Sequence, residues 1–262
     1  MPKQLDNALP IIDLLQDQDI IVDQLDTAAQ NFGVFYLSNH GVNSLAAADQ
    51  VSAEFFDKLS QVERDAYIGR GYSPFGAESL DRATQTTGDR KHGFSFKSEA
   101  LSDSTSAIIN PPSIWAASTT LPVANIMNTV MQEMTRLGLK LAQYFALGMH
   151  LPKNSFVEYL NKPLRYVRIL EYPPIKSQPE QGILGAGAHT DYGLITILHI
   201  QRGNSGLQIL TKTGEWLEVP AKPNCVIVNV GEMMRRFSNG KYQPVTHRVV
   251  KDNSAEPRRS MV

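Results

Sequence analysis

Gly187-Ala188-His189-Thr190-Asp191-Tyr192-Gly193, followed by the apolar run Leu194-Ile195-Thr196-Ile197-Leu198, reads as the end of one short strand leading into another. Side chains two apart on extended backbone point the same way, so His189 and Asp191 can offer an imidazole and a carboxylate to one point. On either side of this stretch, the second half of the chain repeats its texture. Short extended runs are expected at 164–172, 182–188, 194–200, 207–210, 216–219, 226–230, 244–250 and from Arg258 to the end. Many short strands punctuated by Gly, Pro and Asn predict a sandwich or barrel of jelly-roll type.

Two ligands hold a divalent ion poorly, so a third is sought elsewhere. His247, 56 residues after Asp191 within the β-branched segment Pro244-Val245-Thr246-His247-Arg248-Val249-Val250, is the best candidate. Two histidines and a carboxylate on one face of a metal make the facial triad of non-haem Fe(II) oxygenases, with positions left open for co-substrate and O2. Taken alone, His-x-Asp is better explained as a chance tripeptide and His247 as a satisfied surface histidine; the wider context reverses that reading.

An open iron site needs an electron donor, usually a 2-oxo acid, whose far carboxylate is best met by a guanidinium. Arg258 lies 11 residues after His247, and Ser260, two further, shares its face and adds a hydroxyl donor. In isolation Arg258-Arg259 reads as a solvated basic pair. His40 in the turn Asn39-His40-Gly41 reads as structural, and nothing near His92 supports it as a ligand. Gly185-Ala186-Gly187 lacks the third glycine and the helix of a dinucleotide-binding turn.

The preceding half predicts supporting layers. A short extended segment at 9–14 leads to a helix over 18–31, a strand over 32–38, and a helix over 44–67 with Val51, Phe55, Phe56 and Leu59 on its apolar face. Residues 69–120 read as a long irregular covering segment. Within it Lys91-His92-Gly93-Phe94-Ser95-Phe96 alternates like a strand, placing Phe94 and Phe96 on one face, toward either a substrate pocket or the core. The longest helix runs from Pro122 to about Met149, its methionines read as packing.

Composition narrows the partners. The 262 residues carry 25 Lys plus Arg against 26 Asp plus Glu, so no net field recruits nucleic acid or an anionic membrane. The start lacks a signal-peptide core, no apolar run approaches membrane-spanning length, and the single cysteine, Cys225, makes no internal disulfide. A cytoplasmic monomer acting on a small molecule is expected.

Order and spacing together resemble a family. His189-x-Asp191, His247 and Arg258-x-Ser260 match the pattern of the 2-oxoglutarate and Fe(II)-dependent dioxygenases of the isopenicillin N synthase-like group. Leu9-Pro10-Ile11-Ile12-Asp13-Leu14, Gly33-Val34-Phe35-Tyr36, Asn39-His40-Gly41-Val42, Tyr172-Pro173-Pro174, Gly206-Leu207-Gln208, Asn229-Val230-Gly231 and Asn239-Gly240-x-Tyr242 follow in family order. The resemblance implies a mainly β fold: a double-stranded β-helix with an N-terminal α/β layer over 1–120, in the same globule as the long helix and barrel of 121–262. It implies Fe(II) on His189, Asp191 and His247, and 2-oxoglutarate on Arg258, Ser260 and Tyr172. Thr190, Tyr192, Phe94 and Phe96 become substrate-pocket positions. The reaction implied is oxidation, by preference hydroxylation, of a small molecule with release of succinate and CO2. The rivals are a related iron oxidase performing ring closure, desaturation or ethylene formation, and a catalytically silent metal-binding barrel.

Three departures accompany the match. Glu232 stands where many relatives carry Asp, and Leu170 where several have an Asn that touches the co-substrate. The chain stops at Val262, where relatives continue the strand begun at Arg258, which predicts a fragment with an unpaired sheet edge and a less closed pocket.

Overall fold

From Tyr166 onward the chain changes sheet at almost every strand. In the computed structural model, which describes residues 3–4, 9–97, 121–156, 159–160, 166–202 and 206–262, eight strands make up this half. With the first half's strands counted, they are β6 (Tyr166–Tyr172), β7 (Ala186–His189), β8 (Ile195–Arg202), β9 (Leu207–Leu210), β10 (Trp216–Glu218), β11 (Cys225–Val230), β12 (His247–Val249) and β13 (Arg258–Met261). β6, β13, β8 and β11 are consecutive neighbours in one sheet, and β7, β12, β9 and β10 in the other. Alternation between two sheets in this order is a double-stranded β-helix, as the strand pattern and the resemblance led one to expect.

The N-terminal half widens both sheets. β2 (Ile11–Asp13) and β3 (Val34–Ser38) continue the larger sheet beyond β11, while β5 (His92–Lys97) and β4 (Tyr72–Ser73) continue it beyond β6, giving eight strands. β1 (Lys3–Gln4) adds in parallel to β10. Flanked on both sides, β11 is buried from Val226 to Val230, which is why Val226-Ile227-Val228 runs apolar without alternation.

Helices cover the larger sheet. α1 (Gln18–Asn31) and α2 (Leu45–Ala53) pack on α4 (Val123–Gly148), 26 residues long, whose Met127, Val130, Met134, Leu137, Leu141 and Phe145 recur at three and four and are buried. Each such fully buried side chain stabilises the fold by roughly 1.5–3 kcal/mol. One core cluster joins Leu14, Phe55, Met127, Ile169 and Met261, so the N-terminal layer, the long helix and the last strand share a core.

Two expectations change. The helix expected over 44–67 breaks: α2 passes into one wide π-type turn at Glu54–Lys58, then stops at Leu59. The wide turn carries consecutive Phe55 and Phe56, both buried. Ser60 restarts the chain as α3 (Gln61–Asp65) through a capping box with Glu63, a Ser-x-x-Glu signal legible in the sequence. Nor does β13 leave an unpaired edge. It lies between β6 and β8, and Val262 exchanges backbone hydrogen bonds with Arg168 at 2.9 and 2.8 Å. Of the irregular segment expected over 69–120, residues 98–120 lie outside the described residues.

Candidate active site

His189 ends β7 and stands directly opposite His247 on antiparallel β12, with imidazole centroids 4.3 Å apart. Asp191, in the loop after β7, brings Oδ1 to 3.9 Å from His189 Nε2 and 3.7 Å from His247 Nε2. One ligand atom from each residue falls in a set lying entirely within 4.8 Å, and this is the one such His, Cys, Asp or Glu cluster among the described residues. In both histidines Nδ1–H donates to the carbonyl two residues back, Gly187 O at 2.8 Å and Val245 O at 3.1 Å. That fixes the tautomer and leaves both Nε2 lone pairs turned toward Asp191. Burial, reinforced by the adjacent His247, pushes the His189 imidazole below the usual histidine range and keeps it neutral. Two imidazole nitrogens and a carboxylate oxygen suit a borderline divalent ion such as Fe(II).

The loop carrying Asp191 is clasped from behind. Amides at the start of α5 (Glu232–Phe237) donate to it, Glu232 N to Asp191 O at 2.8 Å and Met233 N to Gly193 O at 3.2 Å. These are helix-start donors with no partner inside their own helix. Gly231 is required here, because a Cβ would lie 2.1 Å from Gly193 O. Asn229 on β11 donates to Asp191 Oδ2 at 3.4 Å. Glu232, noted as a departure, accepts from Thr190 Oγ1 at 3.1 Å and so ties the residue between His189 and Asp191 to α5.

Arg258, Ser260 and Tyr172 lie along the same cavity, which encloses about 600 Å³ between the sheets and α4. Arg258 is 1% exposed, stacked 4.6 Å over the ring of its cross-strand neighbour Tyr172, and its Nη1 donates to Ser260 Oγ at 3.2 Å. An arginine does not lose its proton in a protein, so the cavity holds a buried, directed cation. The solvated pair that Arg258-Arg259 resembles in isolation is therefore absent. Arg259, 3% exposed and on the opposite face, pairs with Glu171 and Asp57. Leu170 lines the cavity opposite Ser260 in the strand pairing.

The substrate-pocket expectations divide. Thr190 and Tyr192 line the cavity, Tyr192 at its rim and 84% exposed. Phe94 and Phe96 do not. Phe94 is wholly buried against Phe55, Tyr67 and Phe96, with ring centroids 5.0–6.0 Å apart, so that face of β5 fills the core. The cavity has instead a polar wall absent from the sequence reading. Lys91 and Arg168 both pair with Glu78, whose carboxyl is held down to about 2; burial opposes this, and Arg168 and Lys91 outweigh it. His92 is no ligand: its ring nitrogens meet Tyr72 Oη at 3.0 Å and Glu171 Oε1 at 3.1 Å.

Comparison with known proteins decides the family. The "2OG-Fe(II) oxygenase superfamily" matches residues 162–262, and the "non-haem dioxygenase in morphine synthesis N-terminal" family matches residues 9–118. The 2-oxoglutarate-dependent dioxygenase citB of Monascus ruber is 32% identical over 271 residues, covering 94% of this chain and 80% of that protein. The chain belongs to the 2-oxoglutarate and Fe(II)-dependent dioxygenases. The dioxygenase thnC of Trichoderma harzianum is 29% identical over 96% of this chain and 82% of its own length. In structure, a full-length Neurospora crassa protein solved in complex with alpha-KG superposes with a TM-score of 0.81 at 26% identity, covering 100% of this chain and 87% of that one. The activity of the family is oxidation of a substrate by O2 with Fe(II) and 2-oxoglutarate. Among the described residues, no helix is long and apolar enough to cross a membrane.

Proposed function

We propose that His189, Asp191 and His247 hold Fe(II), and that Arg258, Ser260 and Tyr172 receive the distal carboxylate of 2-oxoglutarate in an enzyme that hydroxylates a small molecule. The observation carrying this reading is the placement of a three-ligand cluster and a buried, stacked guanidinium in one cavity. When bound, iron and co-substrate supply the oxidising power, with succinate and CO2 as co-products. The chain's own residues do the rest. His189 and His247 present Nε2 atoms oriented by their Nδ1 hydrogen bonds, and Asp191 supplies the charge that balances the metal. Arg258 offers paired N–H donors to a carboxylate, while Tyr172 beneath and Ser260 beside it limit the orientations its guanidinium can take. Thr190 and Tyr192 meet the substrate on the outer side.

The near balance of 25 cationic and 26 anionic side chains supports a small molecule, not a nucleic acid, as substrate. One unpaired cysteine is in keeping with a protein of the reducing cytoplasm.

An anaerobic titration of metal-free protein with Fe(II) and then 2-oxoglutarate tests the assignment. A saturable visible charge-transfer band, lost in Asp191→Ala, is the expected outcome. Iron binding without the band refutes the role of Arg258 and Ser260, and a folded protein that binds no iron refutes the triad.

A further inference from the structure

α4 contains two glycines inside its span, and only one has a packing reason. At Gly148 a Cβ would lie 2.9 Å from Tyr242 Oη and 3.3 Å from Asp26, so the close approach of those side chains requires glycine. At Gly138 a Cβ would meet nothing within 4 Å among the described residues. The backbone there is helical, so no left-handed conformation calls for glycine either. A glycine in a helix interior is destabilising relative to alanine, and neither conformation nor contact with a described residue offsets that. What Gly138 does border is the cavity that holds the ligand cluster.

Met131, Met134, Thr135 and Gly138 are spaced i, i+3, i+4, i+7 and all line that cavity, forming one stripe on the helix. Met131 and Met134 are 6% and 8% exposed and also belong to the main core. The Thr135 hydroxyl donates to Met131 O at 2.6 Å. Met131 and Met134 make the stripe largely apolar, and at Gly138 no described residue fills the space a side chain would take. Methionine flanks suit this, since the unbranched thioether adapts to irregular shapes. We infer that Gly138 is a specificity-determining residue: its missing side chain makes room for the body of a bulky, predominantly apolar substrate lying along α4. This rests on the cavity being the substrate chamber of the reaction proposed above.

The test uses the purified full chain and two neutral fluorophores that differ by one ring, 1-naphthylamine and N-phenyl-1-naphthylamine, with Gly138→Ala and Gly138→Leu. Thermal unfolding should show Gly138→Ala at least as stable as the parent; a lower Tm in that variant would mean the glycine serves packing and would overturn the inference. The parent should bind both probes saturably. Gly138→Leu should lose about tenfold or more in affinity for the larger probe while holding the smaller within about threefold. Equal losses for both, no loss for either, or failure of the parent to bind the larger probe each overturn it. The anaerobic Fe(II) and 2-oxoglutarate band, recorded on the same samples, separates the two readings. Its absence from the parent refutes the proposed cofactor roles while the size discrimination still reads on Gly138, and its presence with no size discrimination refutes Gly138 alone.

Discussion

Two of the histidine–carboxylate clusters among the described residues differ in what their polar atoms have left to do. On the outer face of β6 and β13, His92 spends one ring nitrogen on Tyr72 and the other on Glu171, and Glu171 is also bound by Arg259, which reaches on to Asp57. That network is closed, and it ties the last strand to the turn after α2. In the cavity, His189 and His247 each spend Nδ1 on a carbonyl and turn Nε2 toward one carboxylate oxygen 3.7–3.9 Å away. These separations are too long for hydrogen bonds and fit three donors arranged around a shared point. Histidine beside carboxylate is thus uninformative by itself; the unspent nitrogen is what marks a site.

The contrast should show most severely at the open cluster. His189→Ala removes one ligand of three, and turnover should fall to background together with iron content. Activity retained with iron still bound would end the triad assignment. The closed cluster should fail in a different way. Arg259→Met leaves Glu171 buried beside an apolar chain, and removing one partner of a buried pair typically costs about 3–5 kcal/mol. Denaturant unfolding should show that loss, with the Fe(II) and 2-oxoglutarate band kept in the folded fraction.

Arg258→Ala tests the inner face of the same strand. Losing a charge-assisted hydrogen bond of about 1.5–3 kcal/mol should raise the 2-oxoglutarate requirement roughly 10- to 100-fold with iron binding intact. An unchanged requirement would place the co-substrate carboxylate elsewhere. The smallest effect belongs to the polar wall. Glu78 has an ordinary value of 4.5 and is held to about 2 in the fold, so its ion pairs stabilise above pH 4.5 and are lost as pH falls toward 2. The Tm gap between the parent and Glu78→Gln should therefore shrink on acidification through that window. Solvent screening keeps the gap below about 1 kcal/mol.

Much of this was legible in one dimension because the information is local. The strand texture after Tyr166, the long stripe of α4, and the spacing of His189, Asp191, His247, Arg258 and Ser260 depend on residue type and period alone. The Ser60-x-x-Glu63 box was equally local, yet the apolar run around it read as unbroken helix, because a period does not reveal a widened turn.

Which face each pattern covers was settled in three dimensions. Phe94 and Phe96 alternate as pocket or core residues would, and the aromatic side chains of Phe55 and Tyr67 claim them for the core. Arg258 and Arg259 are adjacent and alike in sequence, but opposite sides of one strand send the first into the cavity and the second to Glu171 and Asp57. The hydrogen bonds from Asn229 and Glu232 to Asp191 cross 38 and 41 positions of chain. Residue types and their periods were enough for the strands and for the candidate ligands, and the order of the motifs for the resemblance to the family, since those patterns are written residue by residue. Burial, cross-strand partners and the room left at Gly138 depend on segments far apart in the chain meeting in space, and no local pattern records which ones meet.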